Sequence, residues 1–503
     1  MDPAGPEPLS HLDVLVVGAG LSGVGAGHHL QTACPWATYA IVEARDAVGG
    51  TWDLFRYPGV RSDSDMHTLG YSFRPWEGER SIADGPSILR YVRDTARAEG
   101  IDTHIRFHHR VVAADWSTAD GIWRVQAERT DTGDVVELTA GFLVSCTGYY
   151  RYDHGYRPDF AGMDDFAGII VHPQEWPEDL DVFAKRTVVI GSGATAVTLV
   201  PALAQQGAQV TMVQRSPTYI GTIPETNPVV ALLRRVLPPR SAGAAAKWVC
   251  ALQTQAFYRF CRLCPGLARR LIRKGAEHEL PAGYDVATHF SPRYDPWDQR
   301  FCAAPGGDFF AAIRQGSADV RTGPVDRFTE RGLLLQSGEE LEADIVVTAT
   351  GLELLFLGGM ALSVDGAPVD PACRLVYKGM MLEGVPNLAF AVGYTNASWT
   401  LKCDLTCDYV CRLLTHMRAT GLPTCTPRNV VGATADGPLL GLTSGYIRRA
   451  ADRLPKQGSR YPWRVHQSYL RDYRALKWRG VEDPCMQFSR PVALGQQPMP
   501  AAS

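Results

Sequence analysis

Apolar and polar positions along the 503-residue chain fall into two recurring arrangements. The first is a short apolar run that stops at glycine, followed by an apolar-rich stretch with helical spacing. Residues 13–17 hold one polar position and then an unbroken apolar run, which predicts a buried parallel strand. Gly18-x-Gly20-x-x-Gly23 follows, then a helix over 24–30 and a second strand over 39–42 that ends at Glu43. The same order returns at 187–190, with Gly191-Ser192-Gly193-Ala194-Thr195-Ala196, a helix over 196–205 and a strand over 209–213. The second arrangement is a set of short strands at 111–116, 123–127 and 135–138, with Asp120-Gly121 and Thr132-Gly133 as turns, which predicts a β-meander. Two further buried strands end alike, in Cys146-Thr147-Gly148 and in Ala349-Thr350-Gly351. A strand over 388–392 and a helix over 401–417 complete the pattern. The expected fold is α/β, with two Rossmann-like dinucleotide-binding domains, the second inserted into the first.

The chemistry of the two loops differs. The glycines let the backbone turn tightly and approach a pyrophosphate at a helix N-terminus, where the dipole favours it. Glu43 stands 20 residues past Gly23, where a carboxylate bonds ribose hydroxyls and repels a 2′-phosphate. The first site therefore suits FAD or NAD. The second unit ends in Arg215 instead of an acid, and a guanidinium forks onto a 2′-phosphate. The second cofactor is expected to be NADPH, a plain surface arginine being the alternative. The domain boundaries follow: 1–150 for the first part of the FAD domain, 151–223 and 291–343 for the NADPH domain, 224–290 for an insertion, and 344–503 for the rest of the FAD domain and the tail.

Composition adds exclusions. Hydrophobic residues make up 45% and charged residues 20%, as in ordinary soluble domains, and a net charge of -3 gives no basic field for nucleic acid. Residues 1–10 lack a basic-then-apolar leader, no apolar run is long enough to span a bilayer, and twelve cysteines form no regular framework. A cytosolic protein with reduced thiols is expected. Cys403, Cys407 and Cys411 share a helix face as core positions, and no metal site is expected. The insertion is distinctive: residues 226–276 contain no Asp or Glu and ten Lys or Arg, interleaved with apolar side chains such as Leu232, Trp248 and Phe257. A helical cap with a solvated cationic face is the first reading. Weak association with anionic lipid is the second.

Two motifs sharpen the function. Gly49 and Gly50 with Trp52 can wrap the ring end of FAD, and Asp63 falls on a loop within reach of it. No cysteine lies between Cys34 and Cys146, which disfavours the flavin disulfide reductases. Between the two nucleotide units stand Phe166, Gly168, His172, Trp176 and Pro177, spaced F-x-G-x-x-x-H-x-x-x-W-P. This stretch resembles the fingerprint of the class B flavoprotein monooxygenases, in the W-P form of the type I Baeyer–Villiger monooxygenases. Residues 49–63 resemble the second signature of that family, and Asp344 with Ala349-Thr350-Gly351 the third. Stretches at 57–66, 294–300 and 394–401 are similar to the ethionamide-activating subgroup. The resemblance covers nearly the whole chain and is weakest in the insertion and at 420–440.

The resemblance implies a reaction. NADPH would reduce FAD, and reduced flavin would hold dioxygen as a C4a-peroxyflavin that converts ketones to esters or lactones. Sulfides or thioamides would accept the same oxygen. It implies Arg300 as the catalytic cation, Asp63 as its partner, and backbone contact between Val112 and the FAD adenine. Phe166, Gly168, His172 and Trp176 would couple the two domains without making bonds. Gln299 replaces the lysine common before this arginine, which shifts the 2′-phosphate onto Arg215. A flavin N- or S-oxygenase without ketone activity is the alternative enzyme, and a flavin-bound redox sensor the alternative of another class.

Overall fold

The apolar run before the first glycine loop forms β1, His11–Val17, whose last four residues are buried. The computed structural model describes residues 11–491. α1 (Leu21–Ala33) follows, and β2 (Tyr39–Val42) returns parallel to β1. After α2 (Gly85–Ala98) come β3 (Ile105–Arg106), β4 (His109–Ser117), β5 (Ile122–Arg129) and β6 (Val135–Ser145). β4, β5 and the first half of β6 are the expected antiparallel meander. The second half of β6 lies parallel to β1, with Val14 opposite Phe142 and Val17 opposite Ser145. One long strand thus ties the meander to the nucleotide-binding half.

The chain then leaves for a second sheet. β7 (Ile169–Val171) and β8 (Arg186–Ile190) lead to α3 (Ala194–Gln205), β9 (Gln209–Gln214) and β10 (Ile220–Ile223). The insertion is helical as expected: α4 (Pro228–Val236), α5 (Pro239–Leu263) and α6 (Pro265–Glu279). Next come β11 (Cys302–Pro305), α7 (Asp308–Arg314), β12 (Ala318–Thr322), the small meander β13 (Val325–Thr329), β14 (Gly332–Leu335) and β15 (Glu340–Glu342), and then β16 (Ile345–Thr348). The second sheet has the order β12-β9-β8-β16-β7 and is parallel throughout. Finally β17 (Ala361–Val364) and β18 (Ala367–Val369) extend the first sheet beyond β4, while β19 (Leu388–Phe390) pairs with β6. α8 (Trp399–Thr420) buries Cys403, Cys407 and Cys411 in the core it shares with α1.

The two sheets are joined by two chain segments that pair with each other. Tyr150 and Leu354 form an antiparallel bridge. The Arg151 N–H donates to the Glu353 carbonyl and the Leu355 N–H to the Tyr149 carbonyl, each at 2.9 Å. The Arg151 guanidinium also pairs with Glu353 at 3.2 Å. Among the described residues no helix is long and apolar enough to cross a membrane, and no cluster of His, Cys, Asp or Glu could hold a metal.

Candidate active site

Both nucleotide loops are built alike. Gly18 and Gly191 turn with positive φ, +103° and +133°, at the ends of β1 and β8. Each passes close under the strand end that closes its domain. A Cβ on Gly18 would stand 2.7 Å from the Cys146 carbonyl oxygen, and one on Gly191 2.2 Å from that of Ala349. α1 and α3 begin directly afterwards, with Gly20 and Gly193 as their N-caps and no acidic side chain in either first turn. Their first N–H groups lack intrahelical partners and form the positive end of the helix dipole, so each loop suits a phosphate.

A cavity of about 350 Å³ opens over the first loop and reaches from the ends of β1 and β2 to Arg300. Gly18, Gly20, Glu43, Gly50 and Trp52 line it. Glu43 is buried, and each carboxylate oxygen accepts one backbone N–H, from Ala19 at 2.7 Å and Arg45 at 3.0 Å. Both oxygens keep lone pairs for further donors. A glycine cradle at a helix N-terminus, a fixed carboxylate at the end of β2 and an aromatic wall at Trp52 together fit FAD. Val112 sits at an irregularity of its strand, next to the cavity wall. β4 bulges between Val111 and Ala113, and its neighbour Val111 lines the cavity.

The motif at 49–63 runs from one domain to the other. Gly49 to Trp52 line the FAD cavity, whereas Tyr57 and Val60 pack into the second domain's core with Val200 and Leu203 of α3. Asp63 then meets Arg300, its Oδ1 accepting from Nη2 at 2.7 Å. Burial works against the Arg300 charge, but the Asp63 carboxylate opposes it and holds the guanidinium well above its ordinary pKa, with Tyr149, Tyr446 and Tyr150 close by. A quarter of its side-chain surface stays accessible, and that surface faces cavity. Burial also pushes the three tyrosine hydroxyls up, so they remain neutral.

Asp63 and Arg300 line a second cavity as well, of about 430 Å³. Its other walls include Cys250, Phe257, Trp297, Phe301 and Leu401, a mostly apolar surface with polar groups from Asp65, Asn227 and Asn396 among others, and a size typical of small-molecule sites. α5 supplies Cys250 and Phe257, so the insertion does roof this cavity. It also grips the loop that carries Arg300. Arg262 pairs with Asp298 at 2.6 Å, Arg269 pairs with Asp295, and Tyr258 meets the Trp297 ring edge-on at 5.7 Å. Trp297 itself has φ +73°, an unusual value for so bulky a residue.

At the second loop, Gly193 and Arg215 are exposed, and the Ser192 hydroxyl donates to the Ser216 carbonyl at 3.4 Å. Arg215 therefore follows β9 just before Ser216, which meets the second glycine loop, Gly191 to Thr195, at Ser192. The fingerprint residues lie away from both cavities. Phe166 packs on Phe328, Gly168 leads into β7 and Trp176 packs on the second domain's core. His172 is buried, and its Nδ1 accepts from the Gln174 N–H at 3.2 Å. Sequence reasoning missed Gln174, whose side-chain amide donates to the Arg151 and Tyr152 carbonyls at 3.0 and 2.9 Å. Its place inside the fingerprint was the available signal. Tyr149 and Tyr150 were also missed, although they directly follow Gly148. Tyr446 had no local signal at all.

Comparison with known proteins gives three results. A family model described as pyridine nucleotide-disulphide oxidoreductase matches residues 15–232. The FAD-containing monooxygenase EthA of Mycobacterium tuberculosis is 53% identical over 487 residues, covering 96% of this chain and 99% of the relative. EthA of Mycolicibacterium smegmatis is 50% identical over 481 residues, covering 95% and 97%. Among solved structures, an oxidized steroid monooxygenase bound to NADP matches with a TM-score of 0.75 at 22% identity, covering 96% of this chain and all of that one, a likeness of fold.

Proposed function

Because the chain belongs to the FAD-containing monooxygenases, we propose that it consumes NADPH and dioxygen in the Baeyer–Villiger manner, converting ketones to esters or lactones. Sulfides and thioamides would take one oxygen at the same place. The observation that carries this reading is the Arg300–Asp63 pair, which forms a wall common to both cavities. FAD held in the first cavity, once reduced by the nicotinamide, supplies the activation of dioxygen. The chain's own part is electrostatic and spatial. Arg300 offers a fixed cation to negative charge that develops between the cavities, where little water competes. Asp63 orients that guanidinium. The apolar second cavity holds the carbonyl substrate against it. Arg215, beside the second glycine loop, takes the 2′-phosphate of NADPH. The twelve cysteines, all free, support a reducing compartment.

The test is product identification. Enzyme loaded with FAD and supplied with NADPH and isotopically labelled dioxygen should convert members of a ketone panel to esters carrying one labelled oxygen. Product from sulfides and amines alone would favour the N- or S-oxygenase reading. NADPH oxidation that yields only peroxide with every substrate would overturn monooxygenation of these classes.

A further inference from the structure

Holding the Arg300 loop and roofing the substrate cavity uses only one side of the helical insertion. Of the fifteen large apolar side chains that stand exposed among the described residues, nine lie between Val229 and Leu271. They recur with helical spacing. Leu252 and Leu263 flank Arg259 along one stripe of α5, and Leu267 and Leu271 share a stripe of α6 with Arg270 and Lys274. Leu263 is 80% exposed and Leu232 60%. Single apolar residues on a surface need no explanation, but a concentration of them on three successive helices marks an interaction face.

Charge decides what the face fits. Five of the ten cations of residues 226–276 are committed inside the molecule: Arg234 to the backbone carbonyls at 76–78, Lys247 to Asp404, Arg262 to Asp298, Arg269 to Asp295 and Arg273 to Glu277. None of Arg235, Arg240, Arg259, Arg270 and Lys274 is in an ion pair among the described residues. Apolar side chains flanked by free cations, on a segment without acids, match the interfacial layer of a bilayer with anionic headgroups. A second copy of the same face would set these cations against their own equivalents, so a symmetric dimer is disfavoured. Val229 and Phe257, 41% and 37% exposed, line the second cavity, so the same helices carry both the cavity wall and the apolar face.

We propose that the insertion docks the enzyme on anionic membrane surfaces and that lipophilic ketones enter the cavity from the bilayer. The route of entry rests on the function proposed above, whereas the docking does not. Flotation of the holoenzyme tests the docking, with vesicles of phosphatidylcholine alone against vesicles that also contain phosphatidylglycerol. The enzyme should float with the anionic vesicles only, and less at high salt. The variant Leu232→Glu/Leu263→Glu/Leu267→Glu should lower the bound fraction about tenfold or more. It should keep its FAD and its turnover of a short water-soluble ketone, because none of the three lines a cavity. Turnover of a long-chain ketone dissolved in the vesicles should fall with the bound fraction. No flotation at low salt, or flotation indifferent to the triple variant, would overturn the docking. So would self-association in sedimentation that the triple variant abolishes. Vesicle capture without ester formation from any ketone would support docking while removing the Baeyer–Villiger reading.

Discussion

Arg300 keeps its charge against the cost of burial because the Asp63 carboxylate stands 2.7 Å away. In Arg300→Ala, reduction of the flavin by NADPH should persist, because no residue of the second loop is touched. Ester formation should fall by about a hundredfold to a thousandfold, the usual cost of one electrostatic stabiliser, and peroxide should take its place. Stopped-flow reduction and product assay read the two steps separately. Ester formation at the parent rate would falsify the assignment. Glu43 and Arg215 were legible in the sequence because each stands a fixed distance along one strand–loop–helix–strand unit. Arg300 was legible only through the family resemblance. Its partner lies 237 residues away, and no local periodicity marks either residue. Tyr446 reaches the same place from a third segment and left no trace in the pattern.

The elements themselves were the most readable part, because strand-to-glycine-to-helix is a local rule. Gly23 shows the physical reason. A Cβ there would stand 1.8 Å from the Gly18 carbonyl oxygen, so α1 can lie on its own loop only if position 23 has no side chain. Gly23→Ala should push α1 off β1, lower stability by about 1–3 kcal/mol as other overpacked sites do, and reduce bound flavin. Thermal unfolding and the flavin absorbance of purified protein measure both. A variant as stable and as yellow as the parent would show that the loop can move without cost. The insertion was legible as helical and cationic, but not for what its arginines hold. Arg262 and Arg269 reach Asp298 and Asp295, pairs that form only once α5 and α6 fold back on the loop before Arg300. The bulge of β4 at Val112 was not legible either, since a bulge leaves no mark on a short alternating strand.

The nesting of one domain in the other followed from two buried strands that both end in Thr-Gly, but the joint between the domains did not. Segments 149–151 and 353–355 pair as a short ribbon, and nothing periodic in either announces it. Two side chains of the fingerprint stretch, Gln174 and His172, reach the segment that carries this ribbon. Gln174 bonds the carbonyls of Arg151 and of Tyr152 just past it, and His172 lies against the chain beyond at Gly155, where a Cβ would stand 1.8 Å from the imidazole. Since its Nδ1 accepts from the Gln174 N–H, the imidazole is neutral. Burial lowers its pKa below the ordinary 6.5, the Gly351 carbonyl opposes that, and Arg157 adds to it. His67 is pushed down further, to about 4, by burial and Arg234. The native state therefore binds these protons less readily than the unfolded chain does. Above about pH 6.5 neither state is protonated and stability does not depend on these groups; as pH falls below it, the unfolded chain gains protons and stability is lost. His172→Gln offers an acceptor for the same N–H without a titrating ring. The thermal midpoint of the parent should drop as pH falls from about 6.5 toward 4, and that of His172→Gln should drop less steeply. Equal acid slopes in the two proteins would show that the joint does not titrate and that His172 holds the ribbon by shape alone.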